Sequence, residues 1–269
     1  SPVMGGLFAY LVFQYINKAI FSTRRPLAHA KELLPFIVSV VFFILSIAVC
    51  YKGLKNLHLD LEFSNVLLIA FVMGILGFFL SKVLVRYIPD DDSKDFAHQF
   101  NTTENLFKYL QILTAFYIAF AHGSNDVANA VGPLAAVVSI LDGGVVGMKV
   151  AMPIWILGLG GGFIVFGLMV WGYRVMATVG ENITDITPSR GFCATFGAAS
   201  VVLICSKMGL PISTTHTLVG SIIGVGLARG LPTLNLGIIK MIFISWVTTI
   251  PFTAIISMIF FKAFLLFLP

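Results

Sequence analysis

Two short stretches of this sequence place polar residues inside otherwise apolar surroundings. The first reads Gly123-Ser124-Asn125-Asp126-Val127-Ala128-Asn129-Ala130, and the second reads Gly209-Leu210-Pro211-Ile212-Ser213-Thr214-Thr215-His216-Thr217. In the first, Asn125, Asp126 and Asn129 offer oxygen ligands of the kind a small hard cation such as Na⁺ takes. In the second, Ser213, Thr214 and Thr215 offer hydroxyl and amide donors to a tetrahedral oxyanion. Asp126 is the one charge in its stretch, and a carboxylate at membrane depth is expensive and usually functional. Each stretch follows an apolar run that stops at Gly or Pro, after which a helix restarts. Ser, Asn and Asp are good helix N-caps, with Ser213 or Thr214 capping the second restart. A restart presents free backbone N–H groups and the positive end of a helix dipole, which together make an anion site. Plainer roles stay open for the same residues. Asn125 and Asp126 could only cap a helix, and the Ser-Thr-Thr run could only bond neighbouring helices. His122 and His216 read as hydrogen-bonding residues on a helix face rather than metal ligands.

The elements that must position these residues are membrane spans. The chain has 269 residues, of which 58% are hydrophobic and 11% charged, with a mean hydropathy of +0.97. Soluble domains carry about 25% charged residues, so this surface must face lipid. The net charge of +5 and pI near 9.2 do not indicate nucleic acid, because the basic residues stand singly at the ends of apolar runs. Cys50, Cys193 and Cys205 lie inside apolar runs without metal spacing and read as small buried hydrophobes.

Apolar runs predict spans at Pro2–Phe21, Leu34–Tyr51 and Asn65–Tyr87. A soluble, exposed loop follows at 88–104, marked by Asp90-Asp91-Asp92. Leu106–Ala121 and Val127–Leu141 are expected as two short helices on either side of the first polar stretch, and Ala151–Tyr173 as a full span. Gly158, Gly160, Gly161 and Gly162 would allow close packing. A polar stretch runs from Glu181 to Arg190; Phe192–Met208 spans again, a helix restarts at Ser213, and Leu236–Leu268 is the last span. With the basic loop Arg24–Lys31 cytoplasmic, two further crossings return 88–104 to the same side. The expected fold class is an all-α integral membrane protein: a multi-span helical bundle with two discontinuous half-helices meeting near the midplane. It divides into three spans at 1–87, the loop at 88–104, and a broken-helix repeat at 105–269.

The two stretches closely resemble motifs of the inorganic phosphate transporter family, G-[AS]-N-D-V-A-N-A and P-[IV]-S-T-T-H. Glu181-Asn182-Ile183-Thr184 and Thr187-Pro188-Ser189-Arg190-Gly191-Phe192 resemble that family's G-E-N-I-T and P-S-R-G-F stretches, in the same order. The resemblance covers residues 105–269, and the first spans fit the family's middle region. It implies an inverted-repeat fold and cation-coupled phosphate symport, most simply with Na⁺, in a plasma or inner membrane. It also implies phosphate binding by Ser213, Thr214, Thr215, Asp126 and Asn125, and Na⁺ binding by Asn125, Asp126 and Asn129. Glu181 and Asn182 are further, weaker carry-overs. No cofactor beyond the transported ion is implied; the partners are phosphate, Na⁺ or H⁺ and the bilayer, with a second copy of the chain a candidate for a homodimer.

The chain departs from the family in carrying one copy of each motif where two repeats would each supply one. Ser245-Trp246-Val247-Thr248-Thr249-Ile250-Pro251 follows the second motif, and the family's first repeat has a similar W-x-x-S-P helix. The chain opens at Ser1-Pro2 as though inside that helix, so the expectation is a fragment lacking its N-terminal repeat and unable to transport alone. Rival readings are a proton-coupled phosphate or sulfate permease of the same family, a passive anion channel, and an intramembrane serine hydrolase built on Ser213, His216 and Asp126. The last lacks the strained elbow of a G-x-S-x-G nucleophile.

Overall fold

The computed structural model describes residues 1–53, 61–88, 95–141 and 153–267. Among these, the chain forms eight α-helices: α1 (Pro2–Ile16), α2 (Pro26–Ala48), α3 (Phe63–Arg86), α4 (Phe96–Leu141), α5 (Ile154–Glu181), α6 (Pro188–Lys207), α7 (Thr214–Arg229) and α8 (Leu236–Phe267). Wider π-helical turns extend α1 over Asn17–Phe21 and α2 over Val49–Gly53. Seven helical segments are long and apolar enough to cross a membrane, all but α7. The protein is thus an all-α, multi-pass integral membrane protein.

The centre of the bundle is a helical hairpin made by α6 and α7. Two contacts fix their antiparallel course: Asn235 N donates to Ile183 O at 3.0 Å, and Arg229 Nη1 lies 3.4 Å from Asp185 O. The end of α7 therefore lies beside the start of α6, and the connection 208–213 is the tip. The expected break at Gly209-Leu210-Pro211 takes the form of a reversal, for Gly209 adopts φ +72° and turns the chain back. Two-thirds of α6 is buried inside the protein, whereas none of α8 is, so α6 is central and α8 peripheral.

α4 runs parallel to α6, and side-chain bonds fasten it at both ends. Near the base, Glu104 accepts from Ser189 N at 2.9 Å, Ser189 Oγ at 2.8 Å and Thr187 Oγ1 at 3.0 Å. These groups surround the N-terminus of α6, so a carboxylate from a neighbouring helix caps it and meets its dipole. Further along, Thr114 Oγ1 and Thr195 Oγ1 share a hydrogen bond of 2.7 Å. Alongside these bonds runs an aromatic ladder: Phe107 packs on Phe192, Phe192 stacks on Phe196, and Tyr117 tilts against Phe196.

Residues 96–104 correct the expected loop, since they are the first turns of α4. Some of the polar residues that suggested solvent are used inside the bundle: Gln99 and Thr103 are buried and Glu104 is spent on α6, while Asp95, His98 and Asn101 are exposed. The acidic run 89–94 lies outside the described residues. Lys31 Nζ donates to Ile88 O at 2.6 Å, so the start of α2 and the end of α3 share one end of the bundle, as two crossings require. The core also crosses the expected division at 87, with Ala9, Phe13 and Leu34 joining Phe192, Ala199 and Val219 in one cluster.

α1 lies along α7 through glycines. A Cβ on Gly224 would fall on the backbone of Gly6, one on Gly220 on the backbone of Pro2, and one on Gly5 against Thr217. Gly220 and Gly224 are four apart, the spacing by which small residues let helices meet in lipid. The glycine cluster on α5 behaves differently. Only Gly160 packs, against Val127 and Val131, while Gly158, Gly161 and Gly162 meet nothing. Gly224→Leu is therefore expected to destabilise the protein by about 1–3 kcal/mol, as overpacking does. Gly161→Leu should be neutral. Thermal midpoints in detergent, read by size-exclusion chromatography, check the pair; equal midpoints would remove the α1–α7 seam as a source of stability.

Candidate functional site

The two polar stretches meet where α4 passes the hairpin tip. Thr214 Oγ1 donates to Asp126 Oδ2 at 2.8 Å, joining the Asn-Asp motif directly to the Ser-Thr-Thr motif. Asn125 Nδ2 donates to Ile212 O at 3.1 Å, satisfying a carbonyl of the connection that lies outside both helices. Ser206 Oγ, in the last turn of α6, donates to Asn125 Oδ1 at 3.0 Å. Asn125 Nδ2 also donates to Asp126 Oδ1 at 3.0 Å, and His122 Nε2 lies 2.7 Å from Asp126 Oδ2. The Asp126 carboxylate thus receives three donors, the arrangement an ionised group needs away from bulk water.

The helix break expected at His122–Asp126 is absent, and α4 continues through it. The side chains that suggested caps are used elsewhere. Ser124 Oγ bonds back to Ala121 O at 3.1 Å, leaving the backbone ladder in place, while Asn125 and Asp126 reach across to the hairpin. At 46 residues, α4 would measure about 69 Å at 1.5 Å per residue, more than twice a bilayer's hydrocarbon core.

The second expected break is present, and Ser213 is its N-cap: its Oγ accepts from His216 N at 3.3 Å. Thr214 and Thr215 occupy the first turn of α7, where backbone N–H groups lack intrahelical acceptors. Thr214 is buried against Asp126, while Thr215 is exposed. Asn129 stands one turn beyond Asn125 and is also exposed. Glu181 and Asn182 are not brought to this junction. They close α5 at the base of the hairpin, beside Ile183, with the length of α6 between them and the tip.

Ser213, His216 and Asp126 do not form a hydrolytic triad. Ser213 Oγ faces the backbone N–H of His216, and the imidazole stacks on Trp246 with ring centroids 4.0 Å apart. Asp126 is engaged by His122 and Thr214 instead. A nucleophile without a base in reach is not activated.

Three participants carry little signal in the sequence. Ser206 lies seven residues before Ser213 on the far side of the turn, so only the hairpin brings it to Asn125. The Ile212 carbonyl has no sequence signature. His122, which reads as a helix-face residue, lies four before Asp126. That i, i+4 spacing predicts the contact once α4 is continuous. A cavity of about 900 Å³ between α2, α4 and α6 opens beside the junction, with Ser124, Ser206 and Lys207 among its lining residues. Lys207 Nζ sits 4.1 Å from the centroid of Tyr51 and 5.3 Å from that of Phe63, a cation over aromatic faces.

The sequence profile of the phosphate transporter family matches residues 1–257. A protein of Haemophilus influenzae named "Putative phosphate permease" is 45% identical over 97% of this chain and 62% of its own length. One of the same description from Pyrococcus horikoshii is 43% identical over 99% of this chain and 64% of its own length. A solved structure described as "The sodium-dependent phosphate transporter" superposes with a TM-score of 0.79 at 42% identity, covering 93% of this chain and 60% of that one. The chain therefore spans less than two-thirds of these proteins, and the family is one of transporters, not of enzymes. On a profile match through almost the whole chain, it belongs to the phosphate transporter family.

Proposed function

We propose that this chain is part of a cation-coupled inorganic phosphate transporter, with Na⁺ as the coupling ion, and that the junction of α4 with the hairpin tip supplies one side of its ion and substrate site. The observation that carries the reading is the 2.8 Å bond between Thr214 and Asp126. It sets a group of oxygen acceptors directly beside a group of N–H and O–H donors. Asn125 and Asp126 oxygens suit a small hard cation, with Asn129 one turn further along the same helix. The N-terminus of α7 suits a phosphate, through the backbone N–H groups of Thr214 and Thr215 and the Thr215 hydroxyl. Sodium is supported by the solved relative, which is described as sodium-dependent.

In this reading the chain acts within a longer protein. Thr215 and Asn129 are exposed beside a partly exposed Asp126, leaving one face of the junction open. The relatives carry additional length with which a second, inverted repeat would close that face. Transport would then proceed by rocking of one repeat against the other around the site. The hairpin base, the turn before α2 with Arg24 and Arg25, and the start of α4 would face the cytoplasm.

One observation favours a second reading, coupling to protons. His122 and Asp126 form a 2.7 Å imidazole–carboxylate pair, which is chemistry suited to carrying a proton. Uptake of radiolabelled phosphate into proteoliposomes holding the full-length transporter separates the two. Accumulation under an inward Na⁺ gradient is expected; accumulation under a pH gradient alone would replace sodium by protons. Excess sulfate should not compete, and full competition would make the substrate a broader oxyanion class.

Two substitutions test the site itself. Asp126→Asn is expected to lower Na⁺-driven uptake at least about a hundredfold, since it removes the carboxylate that would hold the cation. The protein should remain folded by size-exclusion profile, and full activity would remove Asp126 from the mechanism. Thr214→Val should raise the phosphate KM by about tenfold, the scale of one hydrogen bond to a charged group. Thr214→Ser should stay near the parent value, and an unchanged KM for Val would leave the hydroxyl as helix packing.

A further inference from the structure

We infer that Ser206 is a positioning residue that aims the Asn125 carbonyl oxygen at the transported cation; this rests on the cation site proposed above. Asn125 has two amide hydrogens and a carbonyl oxygen with two lone pairs. Both hydrogens are used, toward Ile212 O at 3.1 Å and Asp126 Oδ1 at 3.0 Å. Turning the amide over would set its oxygen against those two oxygens, so their chemistry fixes which end points where. Ser206 Oγ then takes one lone pair of Oδ1, at 3.0 Å, and leaves the other.

Ser206 and Ile212 lie on opposite sides of the hairpin turn, one ending α6 and the other preceding α7. Asn125 is thus clamped by both arms of the tip that also carries Thr214. A shift of the tip would be passed to the amide oxygen through these two bonds. Ser206 and, on α4, Ser124 both line the cavity of about 900 Å³ beside the junction. Ser206 itself needs no contact with the ion: its oxygen faces Asn125, and its effect would be felt through the amide.

The test uses the full-length transporter with Ser206→Ala and Ser206→Thr. Ser206→Ala is expected to raise the half-saturating Na⁺ concentration for phosphate uptake by about fivefold or more, the scale of one lost hydrogen bond. The phosphate KM at saturating Na⁺ should stay within about twofold. Ser206→Thr, which keeps the hydroxyl, should restore sodium dependence. In protein labelled with ¹⁵N-asparagine, Ser206→Ala should also shift the Asn125 side-chain amide resonances, while Ser206→Thr should not. Unchanged sodium dependence with unchanged Asn125 resonances overturns the assignment. So does a parallel rise of both constants that Thr fails to rescue, which would mark a merely structural role. If the parent protein shows no sodium-dependent uptake, the sodium reading fails on its own, and the Asn125 resonances alone decide whether Ser206 positions that side chain.

Discussion

A carboxylate set into an apolar bundle must be met by donors, and that requirement organises the centre of this protein. Asp126 receives His122 from its own helix, Asn125 beside it and Thr214 from the hairpin tip. Only the last comes from a distant part of the chain, so satisfying the carboxylate fully requires α7 to start at that point on α4. The turn at Gly209 places it there, because a positive φ reverses the chain within a few residues of Lys207. Asn125 adds a second tie by meeting the Ile212 carbonyl. Removing one partner would leave a charge short of donors in a region poor in water, which costs more than the bond itself contributes.

The hairpin can serve as a fixed reference because its other end is equally constrained. Glu104 caps α6 from α4, and Thr114 with the aromatic ladder fills the interval to Asn125. From Glu104 to Asn125 the two helices run side by side for about 31 Å at helical rise, close to the thickness of a hydrocarbon core. α1 closes the other flank of α7 by backbone contact at Gly6 and Gly224. Lipid gives no hydrophobic drive to bring helices together, so such close contacts and buried polar bonds are what association rests on. α8, by contrast, adds the His216–Trp246 stack and a few apolar contacts, and buries no residue of its own.

Composition and apolar run length disclose the membrane bundle, because lipid demands long apolar helices and leaves few other solutions. The two motifs are equally legible, since polar residues inside such runs stand out. Their local geometry is legible only in part. Ser213 caps α7 as its type and position indicate, for capping is decided within one turn. Asn125 and Asp126 carry the same capping signal but use their side chains across the bundle, and nothing within one turn of sequence distinguishes the two uses. Gln99, Thr103 and Glu104 mislead for a related reason. Polar residues suggest water, yet the partners of Glu104 are Ser189 and Thr187, more than eighty residues along the chain. The break at the tip is legible from Gly209 and Pro211, but its being a reversal depends on one backbone angle at Gly209.

In the proposed reading, the way donors and acceptors are used suggests why a cation and an anion would travel together. On α4, each hydrogen of the Asn125 amide is used, while lone pairs remain on Asn125 Oδ1 and Asp126 Oδ1. What Asn125 and Asp126 still offer is acceptors only. The first turn of α7 offers the reverse, backbone donors at the positive end of a dipole. The two sets adjoin through Thr214, so an anion at α7 would sit near the Asp126 charge. Two like charges about 4 Å apart repel by about 4 kcal/mol at the intermediate dielectric of a protein surface. A cation on Asn125 and Asp126 would cancel most of that repulsion and make the adjacent anion site attractive. Coupling then needs no long-range pathway: it follows from placing a carboxylate one hydroxyl away from a helix N-terminus, and it predicts that the cation binds first.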